Sequence, residues 1–144
     1  MDSLAIGAES ADAELLKKIN KGTEPADIER TINILDDYEI FPKITYIFGL
    51  PGDNIGKMRK TIKQAKYLKE INNKVICFAC FFQPYPGTEL YQEAIKCGYH
   101  KLSGLEQWTT MNPQSQLGKI PWLSIDEMDQ YKEEFNASDC FSAY

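Results

Sequence analysis

Residues 40–53 read IFPKITYIFGLPGD, an apolar run that ends in a glycine- and proline-rich turn. Most positions from Ile40 to Phe48 are β-branched or aromatic, without the strict apolar–polar alternation of a half-solvated strand. The run therefore reads as a buried strand. Pro42 stands near its start, where a missing N–H matters least. Gly49-Leu50-Pro51-Gly52 closes the strand, and Asp53 or Asn54 caps a following helix. A doubly buried strand followed at once by a helix is the unit of a parallel sheet wrapped by helices.

Working outward, residues 74–82 (KVICFACFF) form a second nearly continuous apolar strand, ended by Gln83-Pro84-Tyr85-Pro86-Gly87. The helix between the two runs to about Ile71, with Ile55, Met58, Ile62, Ala65 and Leu68 as its apolar stripe. Lys57, Lys60, Lys63 and Lys66 lie mostly off that stripe and read as a solvated face rather than a basic patch. Upstream, residues 2–7 (DSLAIG) read as a short strand and 12–20 (DAELLKKIN) as a short helix. Thr23-Glu24-Pro25 starts another helix, with Ile28, Ile32, Leu35 and Tyr38 at helical spacing.

Downstream, Thr88 caps a helix to about Lys96. Residues 99–123 read as irregular, anchored by Trp108 and Trp122. Ser124-Ile125-Asp126-Glu127 is a capping box opening a last helix to about Phe135, and the tail 136–144 reads as frayed. Ile44, Tyr46, Phe48, Val75, Cys77 and Phe81 are expected in the core, and Lys57, Lys60 and Lys63 at the surface. The fold class is α/β, with about three parallel βα units and a helical or irregular C-terminal extension. Three strands cannot close a barrel, so the sheet reads as incomplete, with two unpaired edges.

The chain has 144 residues, 43% of them hydrophobic and 26% charged, with a net charge of -5. That is an ordinary composition for a globular domain. The acidic balance argues against a general nucleic-acid binder. No apolar run approaches the roughly 20 residues that a membrane helix needs. The N-terminus has no basic region followed by an apolar stretch, so the expected location is cytoplasmic, with no membrane partner. The cysteines at 77, 80, 97 and 140 are too few for a disulfide scaffold.

In parallel α/β folds, ligands bind at the carboxyl ends of the strands. Those ends are Gly7-Ala8-Glu9-Ser10, Gly49-Leu50-Pro51-Gly52-Asp53 and Gln83-Pro84-Tyr85-Pro86-Gly87-Thr88. Glycines let backbone approach a ligand, and Glu9 can accept from ribose hydroxyls or an ammonium group. Singly, each loop is also an ordinary strand-to-helix turn; their order and spacing carry the argument.

That set resembles the radical S-adenosylmethionine (SAM) superfamily, in the branch whose members often carry an upstream cobalamin-binding domain. The residues are Ile6-Gly7-Ala8-Glu9-Ser10 with Leu15-Leu16-Lys17-Lys18-Ile19-Asn20-Lys21-Gly22, then Ile47-Phe48-Gly49-Leu50-Pro51-Gly52-Asp53, where the family usually has Glu at the last position. The third is Pro84-Tyr85-Pro86-Gly87-Thr88-Glu89-Leu90-Tyr91. The resemblance covers about residues 3 to 99. It implies strands four to six of a partial TIM barrel over residues 1–99, with 100–144 as an extension. It also implies that Glu9 and Ser10 contact the ribose and that Lys21 lies near the SAM carboxylate. Ile47, Gly49, Leu50, Pro51 and Gly52 would lie against the adenine, and Gln83 and Tyr85 near adenine or substrate.

Members of that family hold a [4Fe-4S] cluster on a C-x-x-x-C-x-x-C segment and cleave SAM reductively to a 5′-deoxyadenosyl radical. No such segment occurs here. Cys77 and Cys80 are three apart in a strand and point to opposite faces, so they read as core thiols rather than metal ligands. The resemblance thus implies a fragment contributing the adenine and ribose side of the SAM site, inactive alone. The cluster, and any cobalamin, would reside in absent segments. The alternatives are a non-catalytic half-barrel module or one piece of a split enzyme, whose open sheet edges pair with a missing N-terminal half or another chain. A generic phosphate-binding domain has little support, since neither G-x-x-x-x-G-K-[ST] nor G-x-G-x-x-G occurs.

Overall fold

A computed structural model describes residues 2–101, 103–104, 106–107 and 120–142. Trp108, expected as an anchor, lies outside the described residues. The strands are β1 (Ser3–Glu9), β2 (Phe41–Phe48), β3 (Ile76–Phe81) and β4 (Phe141–Ser142). The helices are α1 (Ala13–Lys18), α2 (Pro25–Asp37), α3 (Ile55–Ile71), α4 (Glu89–Lys96) and α5 (Ile125–Ser138). The sheet order is β1-β2-β3-β4 and every pair is parallel. This order is consistent with an open segment of an α/β barrel, and its parallel pairs are those the two apolar runs imply.

Strand β2 shows how the layers form. Pro42, Ile44, Tyr46 and Phe48 are buried and alternate with half-buried Phe41, Lys43, Thr45 and Ile47. Ile44, Tyr46 and Phe48 share one core with Ile28 and Ile32 of α2, Met58, Ile62, Ala65 and Leu68 of α3, and Tyr131 of α5. Helices α2, α3 and α5 thus cover one face. Thr45, Ile47, Phe78 and Cys80 fall on the other by strand alternation. The caps are those the sequence signals: Asn54 accepts from the Lys57 N–H (3.0 Å), and Thr88 accepts from the Tyr91 N–H (3.1 Å). The Ser124–Glu127 capping box is closed in both directions.

Four expectations change. The tail is not frayed through Ser142, because β4 pairs with β3, Cys77 opposite Phe141. Phe141 stacks on Phe135 at 4.9 Å and meets Tyr46 and Phe48 edge-on, so aromatic packing holds a two-residue strand. Helix α5 accordingly runs past Phe135 to Ser138. Lys57 is half-buried, drawn inward by the buried Asp12 (3.6 Å) and paired at the surface with exposed Glu14 (3.1 Å), while Lys60 and Lys63 are exposed. Phe81 is half-buried at the end of β3, its ring edge-on to Tyr131. Ile44, Tyr46, Phe48, Val75 and Cys77 are buried as expected.

Phe48 is 1% exposed and touches the rings of Phe81, Tyr131, Phe135 and Phe141. Phe48→Ala should therefore cost about 3–5 kcal/mol of stability, the range for emptying an aromatic core position. Urea unfolding followed by circular dichroism should show a lower midpoint with an unchanged slope.

Candidate functional site

Strand β1 ends in an irregularity. Its register on β2 slips between Gly7 and Glu9, and Glu9 takes a φ of 61°, a left-handed conformation uncommon outside glycine. The slip lays the Glu9 carboxylate over Gly7. A Cβ at Gly7 would stand 2.3 Å from Glu9 Oε1 and 3.0 Å from Lys21 Nζ. Lys21 Nζ donates to Glu9 Oε1 at 3.0 Å, and both side chains are mostly sheltered. Lys21 reaches this point because α1 ends in a tight reversal, with its N–H on Leu16 O (3.0 Å) and Asn20 left-handed at φ 53°.

The turn after β2 is closed from within. The Gly49 N–H donates to Asp53 Oδ2 (2.9 Å), the Asn54 N–H to Asp53 Oδ1 (2.9 Å), and the Asp53 N–H to Leu50 O (2.8 Å). Asp53 is buried, and burial pushes its carboxyl up to about 6, against the pull of the two N–H donors and Lys57. Gly49 has φ 74°, and a Cβ there would stand 2.2 Å from Ile120 Cδ1. Leu50 is buried with Leu15, Phe82 and Ala94. After β3, Pro84 is fully buried while Tyr85 remains 57% exposed, its carbonyl accepting from Thr88 Oγ1 at 2.8 Å.

A cavity of about 460 Å³ opens between these loops. Glu9, Lys21, Ile47, Leu50, Gln83 and Tyr85 all line it. Its walls are mainly apolar, and its formal charges are the Glu9–Lys21 pair. Such a site suits a ligand with a flat or apolar body and one polar, hydroxyl- or charge-bearing part.

The other candidate residues shape the loops instead of lining the cavity. Ser10 is buried; its Oγ accepts from the Asp12 N–H (3.1 Å) and lies 3.5 Å from Thr61 Oγ1, tying the β1 loop to α3. Gly49 packs on Ile120, and Pro51 is fully buried. Gly52 is exposed at φ 89° with Lys18 Nζ beside it. Sequence reasoning missed Cys80, Phe82, Ile19 and Leu90 as lining residues. For Cys80 a signal existed, since strand alternation puts it opposite core-facing Cys77. Asp12 was missed as a hub. Burial pushes its carboxyl up, but Lys60 (2.7 Å), the Leu15 N–H and Lys57 outweigh that and hold it below the usual carboxylate range.

The cysteines do not fit an iron–sulfur cluster. Cys77 is buried under α3, Sγ 3.9 Å from Ala65 O, and burial pushes its thiol up to about 12. Cys80 faces the cavity from the other side of the sheet. Among the described residues no group of three or more His, Cys, Asp or Glu side chains could hold a metal ion, and no helix is long and apolar enough to cross a membrane.

No family model matches the sequence. A protein of Pyrococcus horikoshii named as an uncharacterized methyltransferase is 29% identical over 111 residues, 77% of this chain and 23% of that protein. An uncharacterized protein of Methanocaldococcus jannaschii is 28% identical over 81 residues, 56% of this chain and 16% of that protein. The matched stretches thus span under a quarter of either relative.

Two outcomes test this geometry. Gly49→Ala should cost on the order of 1–3 kcal/mol, from the left-handed φ and from overpacking on Ile120. Adding Ile120→Val, which deletes the offending Cδ1, should recover part of that loss in urea unfolding. For Asp53, the folded-state value lies above the ordinary 3.8, so the folded chain binds that proton more tightly. Its contribution should be most favourable below about pH 4, and should fall as pH rises to about 6 by about 1–3 kcal/mol. The urea midpoint of wild type minus that of Asp53→Asn, followed across this window, reads the fall.

Proposed function

We propose that this chain supplies the adenine- and ribose-binding side of the SAM site of a radical SAM enzyme. The observation that supports this reading is the convergence of Glu9, Lys21, Ile47, Leu50, Gln83 and Tyr85, drawn from all three motif loops, on one cavity. Ile47 and Leu50 offer apolar surface to a purine. The Glu9 carboxylate accepts from ribose hydroxyls, and the Lys21 ammonium takes a carboxylate once the two groups part. A relative named as a methyltransferase fits a SAM-dependent reaction. A cytoplasmic location fits four free thiols.

The residues described here do not make the cluster that reductive SAM cleavage requires, so the reading is confined to binding the nucleoside. In an intact enzyme the cluster, and cobalamin if used, would be held by other segments. A second reading, a strand-pairing module, is favoured by one feature. Strand β1 pairs only with β2 among the described residues, and Leu4 to Ala8 carry no charge to guard that edge. Sedimentation separates the two: a chain that self-associates and ignores SAM supports the module.

Calorimetric titration of SAM into the chain tests the first reading. Without a metal to chelate the methionyl end, the dissociation constant should lie in the high micromolar range, roughly 10²-fold or more weaker than a chelated ligand. Glu9→Ala should weaken it further by about tenfold. Tight binding that ignores Glu9→Ala would put the site elsewhere.

A further inference from the structure

We infer that Asp53 is a positioning residue: by holding the Gly49 N–H it fixes Leu50 in the cavity wall, so the cavity keeps its shape only while Asp53 is a carboxylate. The turn from Gly49 to Asp53 is closed by reciprocal bonds, Gly49 N–H to Asp53 Oδ2 and Asp53 N–H to Leu50 O. The second carboxylate oxygen is also taken, by the Asn54 N–H. Two N–H donors on two oxygens suit a carboxylate. A neutral carboxyl carries a hydrogen on one oxygen, and the charge-assisted bonds from the buried Gly49 N–H and the part-buried Asn54 N–H weaken. An Asn side chain is neutral too, with one acceptor oxygen for two N–H donors, so its NH₂ faces one of them.

Relaxation of the turn has a direction. Ile120, itself buried in the core, packs its Cδ1 against Gly49, with no room even for a methyl group. Leu50, which follows Gly49 and accepts the Asp53 N–H through its carbonyl, lines the cavity. A turn released at Gly49 therefore moves Leu50 rather than Ile120. Three groups face Asp53 from other elements or from the start of its own helix. Lys57 on α3 favours the charged form, and Asp12 ahead of α1 opposes it. The Tyr131 hydroxyl on α5, buried with no hydrogen-bond partner among the described residues, also feels the Asp53 charge. Burial outweighs Lys57 and puts the transition near 6, inside an accessible pH range.

For its ligand, but not for the wall itself, this inference rests on the SAM reading. The test has two readouts. In the ligand-free chain, the Leu50 methyl resonances should titrate together with the Asp53 carboxyl between about pH 4.5 and about pH 7.5, and should be flat in Asp53→Asn. SAM affinity should fall about five- to tenfold from about pH 7.5 to about pH 5 in wild type, with a ratio close to one in Asp53→Asn. Leu50 methyls that stay still while Asp53 titrates overturn the inference, whatever SAM does. Methyls that follow Asp53 while SAM binds at neither pH uphold the wall and overturn the SAM reading. A pH ratio that Asp53→Asn leaves unchanged overturns the role in binding.

Discussion

Strand β2 lies between two parallel neighbours, and most of the rest follows from that placement. Its N–H and C=O groups are satisfied by β1 on one side and β3 on the other. Parallel partners cannot be joined by hairpins, so each connection must cross back over the sheet. Helices α2 and α3 occupy those crossings, and they bury Ile32, Met58, Ala65 and Leu68 against Ile44 and Tyr46. The same constraint sends β1, β2 and β3 out at one end. The cavity is where three successive crossings begin.

Beside that cavity, left-handed backbone at Glu9 and Asn20 brings the charges of Glu9 and Lys21 together. Glu9 sits in a left-handed conformation at a register slip, and Gly7 beneath it has no side chain that could block the carboxylate. Strain of this kind persists only where surrounding bonds over-determine it. Here Lys21 holds the carboxylate, while Ser10, Thr61 and Asp12 anchor the next residues to α3. Asp12 then draws Lys57 and Lys60 onto the head of α1. A network of polar side chains thus ties the β1 loop to α3 beside an otherwise apolar pocket.

Much of this was legible in the sequence. The runs around Tyr46 and Cys77 gave the sheet, and Asn54, Thr88 and the Ser124–Glu127 pair announced helix starts through local chemistry alone. Motif spacing drew attention to Glu9, Lys21, Ile47, Leu50, Gln83 and Tyr85, which do line one cavity. What stayed hidden depends on distant partners. No local pattern says that Lys57 turns inward, because the reason is a buried carboxylate at Asp12. Nor does FS at 141–142 announce a strand; Phe135, Tyr46 and Phe48 supply the packing that makes it one. Ser10, Gly49, Pro51 and Gly52 belong to the same motifs yet serve the turns, a distinction spacing cannot make.

The pairing of β4 also sets an order of assembly. Strands β1, β2 and β3 meet through successive βα units, each closing a modest loop. Phe141 reaches Cys77 only after the chain has passed through α4 and α5. Loop-closure entropy grows with the length enclosed, and a two-residue strand offers few backbone bonds in return. The aromatic stack of Phe135 and Phe141 must carry most of that contact. The last strand should therefore dock late and fray early, and when it leaves, the edge of β3 beneath it is open to another segment.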